Sequence, residues 1–191
     1  MNEIFTNFEL TPSQEEGIKE IEKKVNRPTG RSIFILNGKA GSGKTFLIKD
    51  YIDQKGGEYY NISKNHLKEL FKYEHTKITP IEFREFIEKI DEKHSNTFIV
   101  LDECNPIFLS FQENKLLDSF LTICGRHSSS KNNIILLIIS DVFNTSRYDK
   151  DRIIGLKFNE NDAKVINRNC DRMYEGEDNI YEIINKKLEN G

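Results

Sequence analysis

Cysteine is scarce in this chain: Cys104, Cys124 and Cys170 are the only three, and no two of them form a CxxC pair. So few and so scattered, they exclude a disulfide framework and a cysteine-ligated zinc site, and they fit a reducing, cytoplasmic setting. The histidines His66, His75, His94 and His127 show no metal-ligand spacing. Long apolar runs are missing too. The longest, Ile134–Ile139, falls far short of the ~20 residues that span a bilayer, so no membrane is expected as a partner. The opening MNEIFTNFEL has no basic segment followed by an apolar one, and no signal peptide is expected from it. An excess of one charge sign is absent as well. With 28 basic and 31 acidic side chains and a net charge of -3, the chain is no basic nucleic-acid coat, although a local basic face could exist within it.

What is present argues for a packed domain. Of the 191 residues, 37% are hydrophobic, and they include thirteen Phe and seven Tyr, too apolar and aromatic for a disordered chain. No repeat and no long linker interrupts the sequence. Residues 1–191 therefore read as a single domain, with an N-terminal helix and linker over 1–30, a core over 31–158 and C-terminal helices over 159–191.

Thr11-Pro-Ser-Gln-Glu-Glu carries a cap residue, a proline just inside and acids in the first turn, and Ile18, Ile21 and Val25 continue at helical spacing. Ser32–Leu36 is an apolar run of strand length, and a helix from Thr45 to the Gly56-Gly57 pair follows it. Glu58–Ile62, Thr97–Glu103, Ile134–Ile139 and Ile153–Phe158 are further strand candidates. Between them, 64–92 forms a helical insert in two pieces divided at Thr79-Pro80, and Asn114–Cys124 reads as a helix. Helices are also expected over Asn161–Met173 and Asn179–Leu188. Strands alternating with helices predict an α/β fold of three layers, α/β/α, around a mostly parallel five-stranded sheet with extra helices.

Gly38-Lys-Ala-Gly-Ser-Gly-Lys-Thr45 fits G-x-x-x-x-G-K-[ST] completely, between a strand and a helix. The glycines let the backbone turn tightly and aim N–H groups at phosphate oxygens, and the following helix adds the positive end of its dipole. The phosphate cradle is thus Gly38, Lys39, Ala40, Gly41, Ser42, Gly43, Lys44 and Thr45, with Phe46 at the helix start. By this motif the chain resembles the P-loop NTPase superfamily. The resemblance implies that Lys44 reaches the β- and γ-phosphates and that the Thr45 hydroxyl binds Mg²⁺.

Asp102-Glu103, at the end of the apolar strand Phe98–Leu101, resembles the Walker B element of that superfamily. There Asp102 would hold Mg²⁺ through water and Glu103 would orient or deprotonate the attacking water. Glutamate directly after the aspartate resembles the ASCE division, whose sheet has an extra strand between the P-loop and Walker B strands. It implies hydrolysis rather than transfer to a small acceptor. No N-K-x-D motif is present, so ATP is the expected nucleotide. The LSGGQ signature of ABC ATPases is also absent.

Two relatives within the division share further features. Ser140 or Asp141 resembles the sensor of AAA+ ATPases, and Ser140-Asp141-Val-Phe-Asn144 also resembles the GDxxQ motif of superfamily 1 helicases. Leu10-Thr-Pro-Ser-Gln14 resembles the helicase Q-motif and makes Gln14 a candidate adenine reader, since an amide offers donor and acceptor together. Asn167-Arg-Asn-Cys-Asp-Arg-Met loosely resembles the helicase segment that carries an arginine to the γ-phosphate, which would be Arg168 or Arg172. In the AAA+ reading Arg126, Arg147 and Arg152 are the candidates instead, acting on this or a neighbouring subunit. Phe83, Phe86, Ile87 and Ile90 form the apolar stripe of the insert, and Lys64, Lys68, Lys72 and Lys77 could follow a phosphate backbone. Nucleic acid is accordingly the expected macromolecular partner. One core of this length lacks the second wall of a two-core helicase, so a homo-oligomer or a partner subunit is expected to complete the ATP site. A nucleotide-gated adaptor and, less in keeping with Glu103, a small-molecule kinase are the alternatives.

Overall fold

The computed structural model describes residues 9–26, 31–70, 78–113, 115–124, 126–140, 152–159, 161–162 and 164–166. Three apolar runs build its centre. All six residues of β1 (Ile33–Gly38) and all five of β3 (Phe98–Asp102) are buried, as are all of β4 (Ile134–Ser140) except its last residue. Strands without a polar face need cover on both sides, which is what parallel sheets with crossover helices provide. The edges are the shorter β2 (Glu58–Asn61) and β5 (Ile153–Leu156). The order is β2-β3-β4-β1-β5, and all four pairings are parallel.

Successive side chains on these strands feed opposite layers. Phe34, Leu36, Leu136 and Ile138 pack with Ile21 of α1 (Pro12–Asn26) and with Leu47 and Ile48 of α2 (Lys44–Lys55). Ile33, Ile35, Ile135 and Leu137 pack on the other face with α5 (Pro80–Asp91), α6 (Asn105–Glu113) and α7 (Leu117–Cys124). There Phe83, Phe108, Phe111 and Phe120 form a fully buried ring cluster, with Phe111 and Phe120 centroids 5.0 Å apart. The architecture is the expected three-layer α/β/α fold, with every described strand parallel.

In the described part of the helical insert, α3 (Ile62–Asn65) and α4 (Leu67–Leu70) precede α5. Thr79-Pro80 does start a helix. Thr79 Oγ1 accepts from the Glu82 amide while Glu82 Oε2 accepts from the Thr79 amide, a reciprocal cap with proline just inside it. The expectation over 114–124 needs correction. The helix begins at Leu117, and a separate one, α6, occupies Asn105–Glu113. Lys115, at φ 57°, makes the break in the left-handed region that an α-helix cannot continue through. Of the expected C-terminal helices, residues 161–162 and 164–166 are helical, and the remainder lies outside the described residues.

Candidate functional site

The sheet register carries the motif residues to one edge of the molecule. Gly38 aligns with Ser140 across β1 and β4, and Asn61 aligns with Asp102 across β2 and β3. The carboxyl ends of the parallel strands therefore share one edge of the sheet, with β4 between β1 and β3. This is the extra strand that Glu103 implied. A crevice at such carboxyl ends is where open α/β sheets bind ligands.

The loop leaving β1 turns at Gly41 (φ 78°) and Gly43 (φ 76°), two left-handed residues where a side chain would be strained. Gly43 is also the N-cap of α2, and no side chain caps that end. Uncapped first-turn N–H groups suit an anion. Lys44 is buried at 6% exposure, and its Nζ donates to the carbonyls of Gly38 and Lys39, both at 2.8 Å, and at 3.4 Å to Ser42 Oγ. A buried ammonium has to find acceptors, and here its own loop provides them.

Asp102 is 2% exposed, and three neutral donors meet its carboxylate. Thr45 Oγ1 donates to its Oδ2 at 2.7 Å, the Tyr59 hydroxyl donates to the same oxygen at 2.6 Å, and the Glu103 amide donates to Oδ1 at 2.7 Å. Burial, and then the hydrogen bond to Asp102 and its charge, push the Tyr59 phenol up, so it remains a donor. A hydroxyl and a carboxylate oxygen in contact suit a hard divalent cation such as Mg²⁺. Among the described residues no group of three His, Cys, Asp or Glu could hold a metal by itself, so phosphate oxygens and water would have to complete the set.

Glu103 is exposed and takes φ 57°, with its carbonyl accepting from Ser63 Oγ at 2.9 Å. A non-glycine residue held in that region costs on the order of 1–2 kcal/mol, and such strain clusters at functional positions. The next residue, Cys104, takes no part. Its thiol is buried, donates to the Leu101 carbonyl, and is pushed up by that burial.

These elements line one cavity of about 800 Å³. Of the residues expected at the site, Ala40, Gly41, Gly43, Lys44, Thr45 and Phe46 line it, with Gln14, Asp102 and Glu103. Gly38, Lys39 and Ser42 shape the loop from behind and supply Lys44 with acceptors. Ser140, at the tip of β4, lines the cavity, and its amide is held by Asn105 Oδ1 at 2.7 Å. Asp141, Asn144, Arg147, Arg168 and Arg172 lie outside the described residues. Lys49, Ser63 and Asn105 were not anticipated. Lys49 stands one turn after Thr45 on α2, a spacing that could have flagged it.

No arginine lines the cavity among the described residues. Arg126 and Arg152 lie away from the cavity of their own chain, which leaves the site of a neighbouring subunit as the place either could serve. Arg126 precedes His127, whose carbonyl accepts the Ser32 amide at the start of β1, and Arg152 donates to the Leu121 carbonyl at 2.8 Å. Both sit toward the amino ends of the strands, so neither completes the site of its own chain.

Gln14 lines the cavity, yet its amide is bonded within the protein. Oε1 accepts from the Thr11 amide at 2.9 Å, and Nε2 donates to the Ser42 carbonyl at 3.1 Å. Thr11 Oγ1 answers by accepting the Gln14 amide at 3.1 Å, so the pair caps α1 and clamps it to the phosphate loop. Gln14→Glu keeps the acceptor for Thr11 but sets a carboxylate against the Ser42 carbonyl. We expect a loss of about 2 kcal/mol, a fall of several degrees in Tm without nucleotide. An unchanged Tm would show that the amide is not engaged in the clamp.

Residues 34–151 match the model of the ATPase family associated with various cellular activities (AAA). No curated protein matches the chain. Among solved structures, a Walker-type ATPase of Pyrococcus abyssi is similar, at 15% identity and a TM-score of 0.43. The match covers 86% of this chain, which spans 61% of the length of that structure.

Proposed function

The chain belongs to the AAA family of ATPases, and from that premise we propose that it hydrolyses Mg²⁺-ATP and couples the nucleotide state to a macromolecular partner, with nucleic acid the first candidate. The observation that supports the reading best is the meeting of Thr45 and Asp102 beside the Lys44 loop, in a sheet where β4 separates β1 from β3.

In this reading Lys44 turns its Nζ from the Gly38 and Lys39 carbonyls to the phosphate oxygens, while the loop N–H groups and the end of α2 hold the rest of the chain of phosphates. Thr45 and Asp102 would hold Mg²⁺, which when bound neutralises charge on the phosphates. Glu103 accepts a proton from the water whose oxygen attacks the γ-phosphorus, as the bond from that phosphorus to the β–γ bridging oxygen breaks and ADP leaves. Ser140, beside the γ-phosphate position, would register its loss. An arginine to stabilise the transferring group would come from Arg168 or Arg172, or from a neighbouring subunit. We propose the same single-domain organisation over 1–191, in a cytoplasmic setting. No helix among the described residues is long and apolar enough to cross a membrane.

The test is steady-state ATP turnover with and without single-stranded DNA, on protein of measured oligomeric mass. We expect severalfold stimulation at moderate salt. One observation favours a second reading, the nucleotide-gated adaptor: Gln14, the helicase-like adenine reader, has its amide bonded inside the protein. Turnover indifferent to DNA or RNA would select that reading.

A further inference from the structure

We propose that Tyr59 is a positioning residue for Asp102 and sets how tightly the site takes the divalent cation that accompanies the nucleotide. The inference rests on the reading of Asp102 as a metal-holding residue and extends it to a side chain that no motif includes.

Asp102 ends a buried strand, and three donors meet its carboxylate. Two of them come from the nucleotide-binding elements themselves: the Thr45 hydroxyl from the start of α2, and the amide of Glu103, the next residue along. Both belong to parts that nucleotide binding would engage. Tyr59 alone reaches in from another element, the edge strand β2, and its hydroxyl is 2.6 Å from Oδ2. It is the contact that nucleotide binding would leave in place.

The sheet register and α2 together place that tyrosine beside Asp102. Tyr59 pairs with Val100 in the β2–β3 register, two residues before Asp102, which puts its side chain on the same face of the sheet as Asp102. The Lys49 ammonium lies over its ring, 5.0 Å from the centroid. The ring is thus fixed from below by the sheet and from above by α2, and the hydroxyl has one oxygen to donate to. A carboxylate with Oδ2 tied to Tyr59 and Oδ1 tied to the Glu103 amide has little freedom to rotate. Losing a hydrogen-bond partner that orients a metal-holding group typically costs about 10–100-fold in metal affinity.

Tyr59→Phe is the test, because it removes only the hydroxyl and keeps the ring beneath Lys49. The probe is N-methylanthraniloyl-ADP, titrated fluorimetrically in excess EDTA and again at fixed nucleotide with rising Mg²⁺. We expect the affinity in EDTA to stay within about twofold of the parent and the Mg²⁺ half-saturation to rise by about tenfold. Thermal denaturation without nucleotide checks that the variant folds. A Mg²⁺ half-saturation equal to the parent's would overturn the inference, and so would an equal loss of affinity in EDTA, which would mean general damage. Failure of the underlying reading looks different: the parent protein itself would then bind the probe with no dependence on Mg²⁺.

Discussion

Glu103→Gln will retain ATP and lose turnover by at least about 100-fold. General-base assistance contributes about 10²–10⁴-fold, and the amide cannot accept the proton of the attacking water. Binding survives because the side chain is no part of the phosphate loop, although it lines the same cavity. Glu103 is exposed, and the two contacts it makes to the site's framework are made by its backbone: the amide to Asp102 and the carbonyl to Ser63. Glutamine preserves both, so Asp102 keeps its orientation. Single-turnover phosphate release, measured beside equilibrium ATP binding, separates the two effects. Turnover within threefold of the parent would remove Glu103 from the chemistry.

Lys44→Ala will abolish ATP binding at ordinary concentrations, a loss of at least about 100-fold, because charge-assisted contacts to phosphate are about twice as strong as neutral ones and a single ammonium makes several of them. The same change acts on the free protein. Lys44 Nζ fills the space between the Gly38 and Lys39 carbonyls, and its removal leaves these acceptors without that donor. We therefore expect a Tm lowered by a few degrees as well, since each unsatisfied buried acceptor costs about 1–3 kcal/mol. Equilibrium titration with fluorescent ATP and a melting curve check both parts. Undiminished binding would sink the assignment of the loop.

The parts of the site that could be read from the residues are those tied to local geometry. Gly41 and Gly43 are needed where φ is positive, Lys44 follows at the helix start, and both flanking elements have the right apolar pattern. Asp102 closes a buried strand, and β4 falls between β3 and β1 as the glutamate after it implied. Family membership also settles a choice that the motifs left between two lineages, on the AAA side.

What escaped depends on contacts distant in sequence. The Tyr59 hydroxyl meets a carboxylate 43 residues away, and only the register of β2 on β3 brings them together. Gln14 lines the cavity as an amide that suits adenine would, but its bond to the Ser42 carbonyl, 28 positions away, has no local signal. Helix α6 was obscured because its buried residues Ile107, Phe108 and Phe111 pack into the same aromatic cluster as α5 and α7, while Asn105-Pro106 reads locally as a turn. That Arg126 and Arg152 lie toward the amino ends of the strands, away from the cavity of their own chain, is likewise a matter of the fold and not of local sequence.

The central claim is that the Lys44 loop and Asp102 form one triphosphate site, and a crystal structure of the Glu103→Gln protein grown with Mg²⁺ and ATP tests it most directly. The account predicts the phosphates in the 38–45 loop, Lys44 Nζ moved from the Gly38 and Lys39 carbonyls onto phosphate oxygens, and the cation beside Thr45 and Asp102. Nucleotide bound elsewhere, or Lys44 still bonded to its own loop with ATP present, would contradict it.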